Sequence, residues 1–501
     1  MFLFLCGETT FLTVCDPVTT VTGSFYERSL ILTLIEKLHD AVWGDGLILM
    51  ILAVGILLTV RCRFPQIRHF GKAVKYTLTD DGGAGEVSSF GALCTALSAT
   101  VGTGNIVGVA TAIAAGGPGA LTWMLIAAFF GMATKFAEGM LAVKYRTVAP
   151  DGRTLGGPFY YMEKGLSGVP DGLRRRLGQL FALAGLAAGT LGIGTVTQTN
   201  GIAFAADRLF RGPVIRAANS PSGRPVTLAA ALAGGIVTAL AAIIIFGGLR
   251  RIAAVNEIIV PLMAGAYVLF SLLILLTALP EVPSAIRVIL TGAFDARAAG
   301  GAAAGLTLKT TIRMGVGRGV FSNEAGLGSS PIAAAAAKTD SPVRQGLVSM
   351  IGTFVDTFLL CTMTGLVIVV TGAWDPAVTG GRLTGFEITA FAWEKGLPFA
   401  DGAGVFFLSL CLIIFAFTTI LGWNFYAERC LAYLTGDTIR YALPVFRLLY
   451  IAAIAAGPLL SADAVWRAAD IFNGLMALPN LLALMMLSGT AAADLQKSPE
   501  T

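Results

Sequence analysis

The sequence predicts an all-α polytopic membrane protein of eleven spans, a five-plus-five inverted repeat with one extra N-terminal transmembrane helix. Three observations carry this. Hydrophobic residues make up 55% of the 501 and charged residues only 13%, about half the charged share of a soluble domain. Mean hydropathy is +0.77, so most of the surface has to face lipid. The 61 glycines exceed the usual share of about 7%, and their densest runs fall inside two apolar stretches. No Gly-X-Y period exists, which excludes collagen, and the apolar content excludes disorder.

A bilayer core of about 30 Å takes about 20 apolar residues per helix. Eleven stretches qualify: 42–60, 87–116, 119–143, 179–206, 226–247, 253–279, 303–337, 345–372, 402–432, 443–460 and 465–489. They imply an external or interfacial segment 1–41, a transmembrane domain 42–489 with repeats 87–279 and 303–489, and a cytoplasmic tail 490–501. Residues 1–40 lack a basic start and a clean cleavage site, so they are not read as a signal peptide. Ser29 to Asp40 has the pattern of an amphipathic interfacial helix.

Arg61, Arg63, Arg68, Lys72 and Lys75 follow the first span, and cytoplasmic loops carry the excess of Lys and Arg. The N-terminus is therefore expected outside and, after an odd number of spans, the C-terminus in the cytoplasm, in a bacterial-type inner or plasma membrane. One loop with Arg208, Arg211, Arg216 and Arg224 runs against this vote. The net charge of +5 reflects these loops and does not call for nucleic acid.

Other function classes lack their residues. Seven cysteines form no CxxC pair, and His39 and His69 are the only histidines, too few for a histidine metal site or triad. No Gly-Lys-Ser/Thr follows a glycine run, so neither a nucleotide partner nor an ATP-driven pump is expected. Without HExxH or GxSxG no enzyme is expected.

Two spans are unusual. The second contains Ser98-Ala99-Thr100-Val101-Gly102-Thr103-Gly104-Asn105-Ile106-Val107-Gly108. The seventh contains Gly315-Val316-Gly317-Arg318-Gly319-Val320-Phe321-Ser322-Asn323-Glu324-Ala325-Gly326-Leu327-Gly328. Gly104/Gly108 and Gly315/Gly319 have the small-xxx-small spacing of packed helices. Packing does not explain Asn105, Ser322, Asn323 and Glu324 at the same depth, where polar and charged groups mark function by default. With the first span set aside, the unusual spans are the first and sixth of ten. Broken helices at matching positions of two repeats place a substrate site at the midplane. Half-helix N-termini there attract a carboxylate, and unpaired carbonyls attract an ammonium group or Na⁺.

The run Gly102 to Ala110, followed by Gly116-Gly117-Pro118-Gly119-Ala120, resembles the signature of the alanine or glycine:cation symporter family. Thr134-Lys135-Phe136-Ala137-Glu138, Gly156-Gly157-Pro158, Phe321 to Gly326 and Gly422-Trp423 support it. The resemblance implies a leucine-transporter-type fold with one additional N-terminal helix. It further implies uptake of alanine, glycine or similarly small amino acids, coupled to Na⁺ or H⁺, by alternating access. The alternatives are another small solute on the same fold, or an ion channel.

In that fold the third and eighth core helices flank the substrate as continuous helices, here 179–206 and 402–432. The resemblance then implies that N–H groups around Thr103, Gly104 and Asn105 bind the substrate carboxylate. Carbonyls of Phe321 and Ser322, with the side chains of Asn323 and Gln198, hold the ammonium, while Thr419 and Trp423 limit the pocket. Fold analogy gives Na⁺ the carbonyls of Ser98 and Val101 and the hydroxyls of Thr418 and Thr419. Gln198 also suits a helix–helix hydrogen bond, and Trp423 an interfacial anchor. Lys135 and Glu138, three apart on one helix, are expected to pair with each other. Arg313 and Arg318 are expected to reach Glu324 or Asp356 as gating partners, and Asp356 also suits a proton acceptor or second cation ligand. Asp470 and Asn473 are expected to be packing polar groups.

Overall fold

Lipid offers no partner to an exposed backbone N–H or C=O, so a chain this apolar crosses as helices and can break only inside protein. The computed structural model describes residues 36–79, 82–148, 153–210, 213–216, 226–294, 307–459 and 462–499. Among the described residues nine helices are long and apolar enough to cross a membrane, and a tenth crossing is a bent pair. The remaining predicted span is a shorter helix followed by a break. Most of the N-terminal segment 1–41 lies outside the described residues. Its last residues, from Glu36, continue as helix into the first span.

Helix α1 (Asp45–Arg61) turns Leu47, Ile51, Val54 and Leu58 inward and leaves Leu49, Ile56 and Val60 exposed to lipid. The bent pair is α2 (Ser89–Thr100) and α3 (Gly104–Gly116), meeting at 51° across Val101–Thr103. Ser88 caps α2 by accepting from the Gly91 N–H at 2.8 Å. Helix α4 (Ala120–Lys144) follows, then a two-residue hairpin of β1 (Thr147–Val148) and β2 (Thr154–Leu155) and the short α5 (Pro158–Gly165).

The expected continuous third core helix is interrupted. It consists of α6 (Asp171–Leu191) and α7 (Val196–Phe210), separated by a turn at Gly192–Thr195. Threonine side chains fill the lost ladder: Thr195 Oγ1 donates to Thr190 O at 2.7 Å and Thr197 Oγ1 to Ile193 O at 3.1 Å. After the hairpin β3 (Val214–Arg216) and β4 (Val226–Thr227) come α8 (Leu228–Ile245), α9 (Gly248–Thr277) and α10 (Val282–Gly292).

The sixth core element is α11 (Leu308–Asn323), an irregular stretch, and the one-turn α12 (Pro331–Ala334). Its break lies beyond the glycine run that suggested it. Gly315, Gly317 and Gly319 are inside α11, and the helix ends where Glu324 turns left-handed at φ 56°, followed by Gly326 at φ 89° and Gly328 at φ 81°. A carboxylate residue in that conformation is uncommon. Helix α13 (Pro342–Val370) contains a wider π-turn segment at Phe354–Cys361, for which the sequence held no signal. The last helices are α14 (Phe386–Gly396), α15 (Ala403–Thr435), α16 (Ile439–Ala456) and α17 (Ala462–Lys497). The predicted tail from 490 is thus largely a continuation of α17.

Glycine makes the seams around α4 possible. A Cβ on Gly346 would lie 2.6 Å from Phe136 O, one on Gly139 2.2 Å from Ser349 Oγ, and one on Gly315 2.4 Å from Ala120 O. Without a hydrophobic driving force between helices, such close approach supplies the packing energy. Gly346→Ala is therefore expected to destabilise the protein by about 1–3 kcal/mol through overpacking, read as a lower melting temperature in detergent. Gly235→Ala, on an exposed face with open space at its Cβ, is expected to leave stability unchanged or raised.

Candidate functional site

The two breaks meet. A Cβ on Gly104 would lie 3.3 Å from Ser322 Cα, so the start of α3 and the end of α11 touch backbone to backbone at the centre of the protein. What joins them is Asp356, fully buried in the π segment of α13. Its Oδ1 accepts from Asn105 Nδ2 at 2.7 Å. Its Oδ2 accepts from Ser322 Oγ at 2.9 Å and Thr357 Oγ1 at 2.8 Å. No Lys, Arg or His among the described residues pairs with it. A hydrogen-bonded carboxylate at this depth calls for a counter-charge from elsewhere.

Asn105 also folds the first break onto itself, its Oδ1 accepting from the Gly102 N–H at 2.9 Å. Its side chain is thus spent within the protein, and the donors left to face a ligand are those of the first turn of α3 near Thr103 and Gly104. Asn323 is spent as well: Nδ2 donates to Thr357 Oγ1 at 3.0 Å, and Oδ1 accepts from the Ala325 N–H at 2.9 Å. It shapes the break instead of presenting an amide to the centre.

Gln198 sits where the interruption between α6 and α7 brings it toward the first break. Its Nε2 donates to Ile193 O at 3.0 Å, while its buried Oε1 has no partner. A Cβ on Gly102 would lie 3.7 Å from that oxygen and 2.6 Å from Thr419 Oγ1, so Gly102, Gln198 and Thr419 meet closely at the first break. Trp423, one turn beyond Thr419, is fully buried against Gly189 and Gly194, and its Nε1 has no partner. That position does not suit an interfacial anchor. Phe321 is buried under the Arg318 guanidinium, 5.8 Å from its ring centre.

Of the residues expected to hold a cation, three come together. Thr419 Oγ1 lies 3.4 Å from Val101 O, and a Cβ on Gly422 would lie 2.6 Å from Ser98 Oγ, so α15 is pressed against the end of α2. Thr418 turns away, its Oγ1 near Phe415 O at 2.9 Å and Met263 Sδ at 3.5 Å. Sequence reasoning missed Asn256 on α9, whose Nδ2 donates to Ser98 Oγ at 2.9 Å and whose Oδ1 is buried without a partner. Neutral oxygen donors with one orphan among them fit a hard monovalent cation.

The expected charge pairs differ. Lys135 does not bond Glu138; its Nζ donates to Ser330 Oγ at 2.7 Å. Glu138 Oε1 accepts from the Gly328 N–H at 3.1 Å and from Asn480 Nδ2 at 2.7 Å. The two residues hold the second break from α4. Neither Arg313 nor Arg318 reaches Glu324 or Asp356. Arg313 approaches Asp40 at 3.8 Å, and both arginines line a cavity of about 400 Å³ with His39, Lys309 and Asp470 that ends at Phe321. Asp470 is no mere packing group, since it meets His39 Nε2 at 3.4 Å. A second cavity of about 200 Å³, lined by Asn200, Phe204 and Gly385, ends at Thr103.

The opposite end is tied shut. Arg146 donates to the carbonyls of Ala335, Ala337, Ala84 and Thr339 at 2.5–3.0 Å. Glu86 Oε1 takes Arg429 Nη2 at 2.5 Å and the Thr154 N–H at 2.8 Å. The segments before α2 and after α12 are thereby fastened to each other and to α15.

Comparison with known proteins gives the same architecture. A family model described as the sodium:alanine symporter family matches residues 28–499. The chain is 43% identical to the sodium/alanine symporter AgcS of Methanococcus maripaludis, over 92% of this chain and 96% of that one. It is 48% identical to an uncharacterized transporter of Haemophilus influenzae, over 91% and 93% respectively. The probable sodium/glutamine symporter GlnT of Bacillus subtilis is 35% identical over 90% of this chain and 87% of its own length. Among solved structures, MhsT in complex with L-phenylalanine is similar with a TM-score of 0.53 at 15% identity, covering 83% of this chain and 99% of that one, which establishes the leucine-transporter fold.

The Asp356 hub makes a stability prediction. Asp356→Ala removes the carboxylate acceptor of three buried donors, leaving Asn105 and Ser322 only longer contacts to the residue-356 carbonyl and the Cys361 sulfur, at a cost of about 1–3 kcal/mol for each unsatisfied donor. Asp356→Asn keeps one carbonyl acceptor and is expected to lose less than half as much, by thermal unfolding in detergent.

Proposed function

The chain belongs to the sodium:alanine symporter family and is a cation-coupled amino-acid symporter, and from that premise we propose that it carries alanine, glycine or similarly small amino acids inward with Na⁺. The observation carrying the substrate reading is the meeting of the two breaks, with the unpartnered Gln198 Oε1 beside the first of them. An amino acid satisfies that arrangement with both its charges. The first-turn N–H groups at Thr103 and Gly104 suit its carboxylate. Gln198 Oε1 and the carbonyls of Phe321 and Ser322 suit its ammonium. Asp356, one residue contact behind Ser322 and Asn105, supplies the counter-charge for a cationic group at the centre. Thr419 and Trp423 leave room for a methyl-sized side chain only.

Sodium, as co-substrate, is assigned to Ser98, Val101 and Thr419, with Asn256 behind them. Holding Na⁺ there ties α2 to α15, so its arrival or departure acts on the helix that also ends in the first break. The N-terminus is assigned to the outside and the C-terminus to the cytoplasm. Arg61, Arg146 and Arg429 gather at one end, as cytoplasmic arginines do, and that end is closed by the Arg146 and Glu86–Arg429 contacts. The repeats are assigned to 87–279 and 303–489. Inward release then requires those contacts to part, while the cavities ending at Phe321 and Thr103 are the outer approach.

The test is uptake of labelled alanine into proteoliposomes, with Na⁺, with Li⁺ and with a proton gradient alone, in competition with glycine, D-alanine, serine, leucine and glutamine. Saturable Na⁺-driven uptake inhibited by glycine and not by leucine is expected. Strong leucine or glutamine transport would contradict the small pocket, and single-channel conductance would contradict symport. Thr419→Val and Ser98→Ala are each expected to weaken apparent Na⁺ affinity about tenfold, equivalent to about 1.4 kcal/mol. Wild-type Na⁺ dependence in both variants sinks the cation assignment. Gln198→Ala is expected to raise the alanine KM by a similar factor.

A further inference from the structure

On the cytoplasmic side of the substrate space lies a second buried polar cluster that symport of alanine with Na⁺ leaves unused. Its charged members are Lys135, Glu138 and Glu324, at 3%, 0% and 1% exposure. Lys135 is the one cation among them and lies in the electrostatic reach of Glu138, Glu324 and Asp356. The titratable groups facing the cluster from other helices are Tyr426 on α15 and Tyr161 on α5. One ammonium cannot balance both glutamates while Asp356 answers to the cargo. An unpaired ionised carboxylate in the membrane interior is costly enough to take up a proton instead.

Geometry says which glutamate is left over. Glu138 Oε1 accepts from two groups that can only donate, the Gly328 N–H and Asn480 Nδ2, its Oε2 being buried without a partner, and it shares a helix face with Lys135. That is a setting for an ionised carboxylate. Asn480 is itself held in place by the Tyr161 hydroxyl and by Gly326 O. Glu324 has weaker support. Its Oε2 meets only the Ser329 hydroxyl, which donates or accepts equally well. Its Oε1 is buried without a partner, and the Trp423 Nε1 that approaches it is likewise unpartnered. Glu324 also sits at the left-handed residue that ends α11, so a change in its charge acts directly on the backbone next to Ser322 and Asn323.

We infer that Glu324 is a proton-binding site of the transport cycle, loaded from the outer solution together with the amino acid and emptied into the cytoplasm when the second break opens. The step is a single O–H bond formed on a carboxylate oxygen and later broken, with the proton passing to water. The inference rests on the symport reading for its direction, and adds a proton to the cargo.

Two measurements on the full-length reconstituted protein test it. In vesicles holding a pH-indicator dye, Na⁺-driven alanine uptake by the wild type is expected to acidify the lumen, and Glu324→Gln to lower that acidification to the leak rate. In infrared difference spectra recorded as pH is lowered, the protonated-carboxyl band of the buried acid is expected in the wild type and lost in Glu324→Gln. Alanine accumulation without acidification overturns the proton site and leaves Na⁺ symport standing. Persistence of the infrared band in Glu324→Gln overturns it irrespective of transport. If that variant does not fold, Glu324→Asp decides: a shifted band supports the site, and an unmoved one places the proton elsewhere and overturns it.

Discussion

The arrangement depends on one carboxylate. Asp356 takes hydrogen bonds from Asn105 in the first broken helix and Ser322 in the second, and the Cys361 thiol, in the same π segment, meets both as well. Two breaks in the low-dielectric interior leave polar backbone that lipid cannot satisfy. The protein meets that cost by placing the breaks against each other and fastening both to a third helix. The π segment at Phe354–Cys361 is what makes this possible. A wider turn displaces the side chains of one stretch relative to an α-helix, and π segments are found mostly at functional sites. Here it brings Asp356, Thr357 and Cys361 to the same point. A bond network of this kind rigidifies the centre only while every member is satisfied, so a change of charge beside it would shift a balance shared by three helices.

Much of this was readable in the sequence. Apolar length gave the spans, and glycine beside amides gave the two breaks. The family signature from Gly102 to Ala110 then named the fold. Other features were illegible for definite reasons. A π segment has no composition of its own, so α13 read as an ordinary span. The run Gly315-Val316-Gly317-Arg318-Gly319 looked like the second break, but glycine serves close packing as readily as irregular backbone. Its neighbours across space, Ala120, Trp123 and Met124, decide which. The break itself falls at Glu324, a residue whose left-handed conformation no propensity predicts. The interruption at Gly192–Thr195 was hidden because threonine side chains replace the missing backbone bonds.

Charge pairing was the least legible part. Lys135 and Glu138 have the spacing of an ion pair, and in isolation that spacing is a fair guide. In the folded protein each has a better partner in the second break, because the irregular 324–330 segment offers N–H, C=O and hydroxyl groups that nothing else can satisfy. Asn105 and Asn323 illustrate the same competition. The resemblance gave the ligand the backbone N–H near Asn105 and the side chain of Asn323, and the chain itself occupies both side-chain amides. A polar residue at a membrane break has two claims on it, the ligand and the broken backbone, and only coordinates reveal which one is met. Gln198 Oε1 and Asn256 Oδ1, two of the buried groups beside the first break that remain without partners, are therefore stronger pointers to the cargo than the residues of the signature itself.

That distinction bears on how the cycle is driven. The clamp of Arg146 and the Glu86–Arg429 pair joins the chain before α2 to the chain after α12, the two segments that continue from the two broken spans. In the proposed cycle, sodium at Ser98 and Thr419 would pull on the first of these through α2, and the state of Glu324 would act on the second through the 324–330 segment. Each half of the clamp thus has its own ion-sensitive attachment, one on either side of the substrate. Opening inward needs both halves to move, because each of the four carbonyls bound by Arg146 belongs to one or the other. A single cation could release only its own side. The symmetry of the fold, with one break per repeat, therefore favours coupling in which the two repeats are controlled by separate ions and the amino acid reports to both.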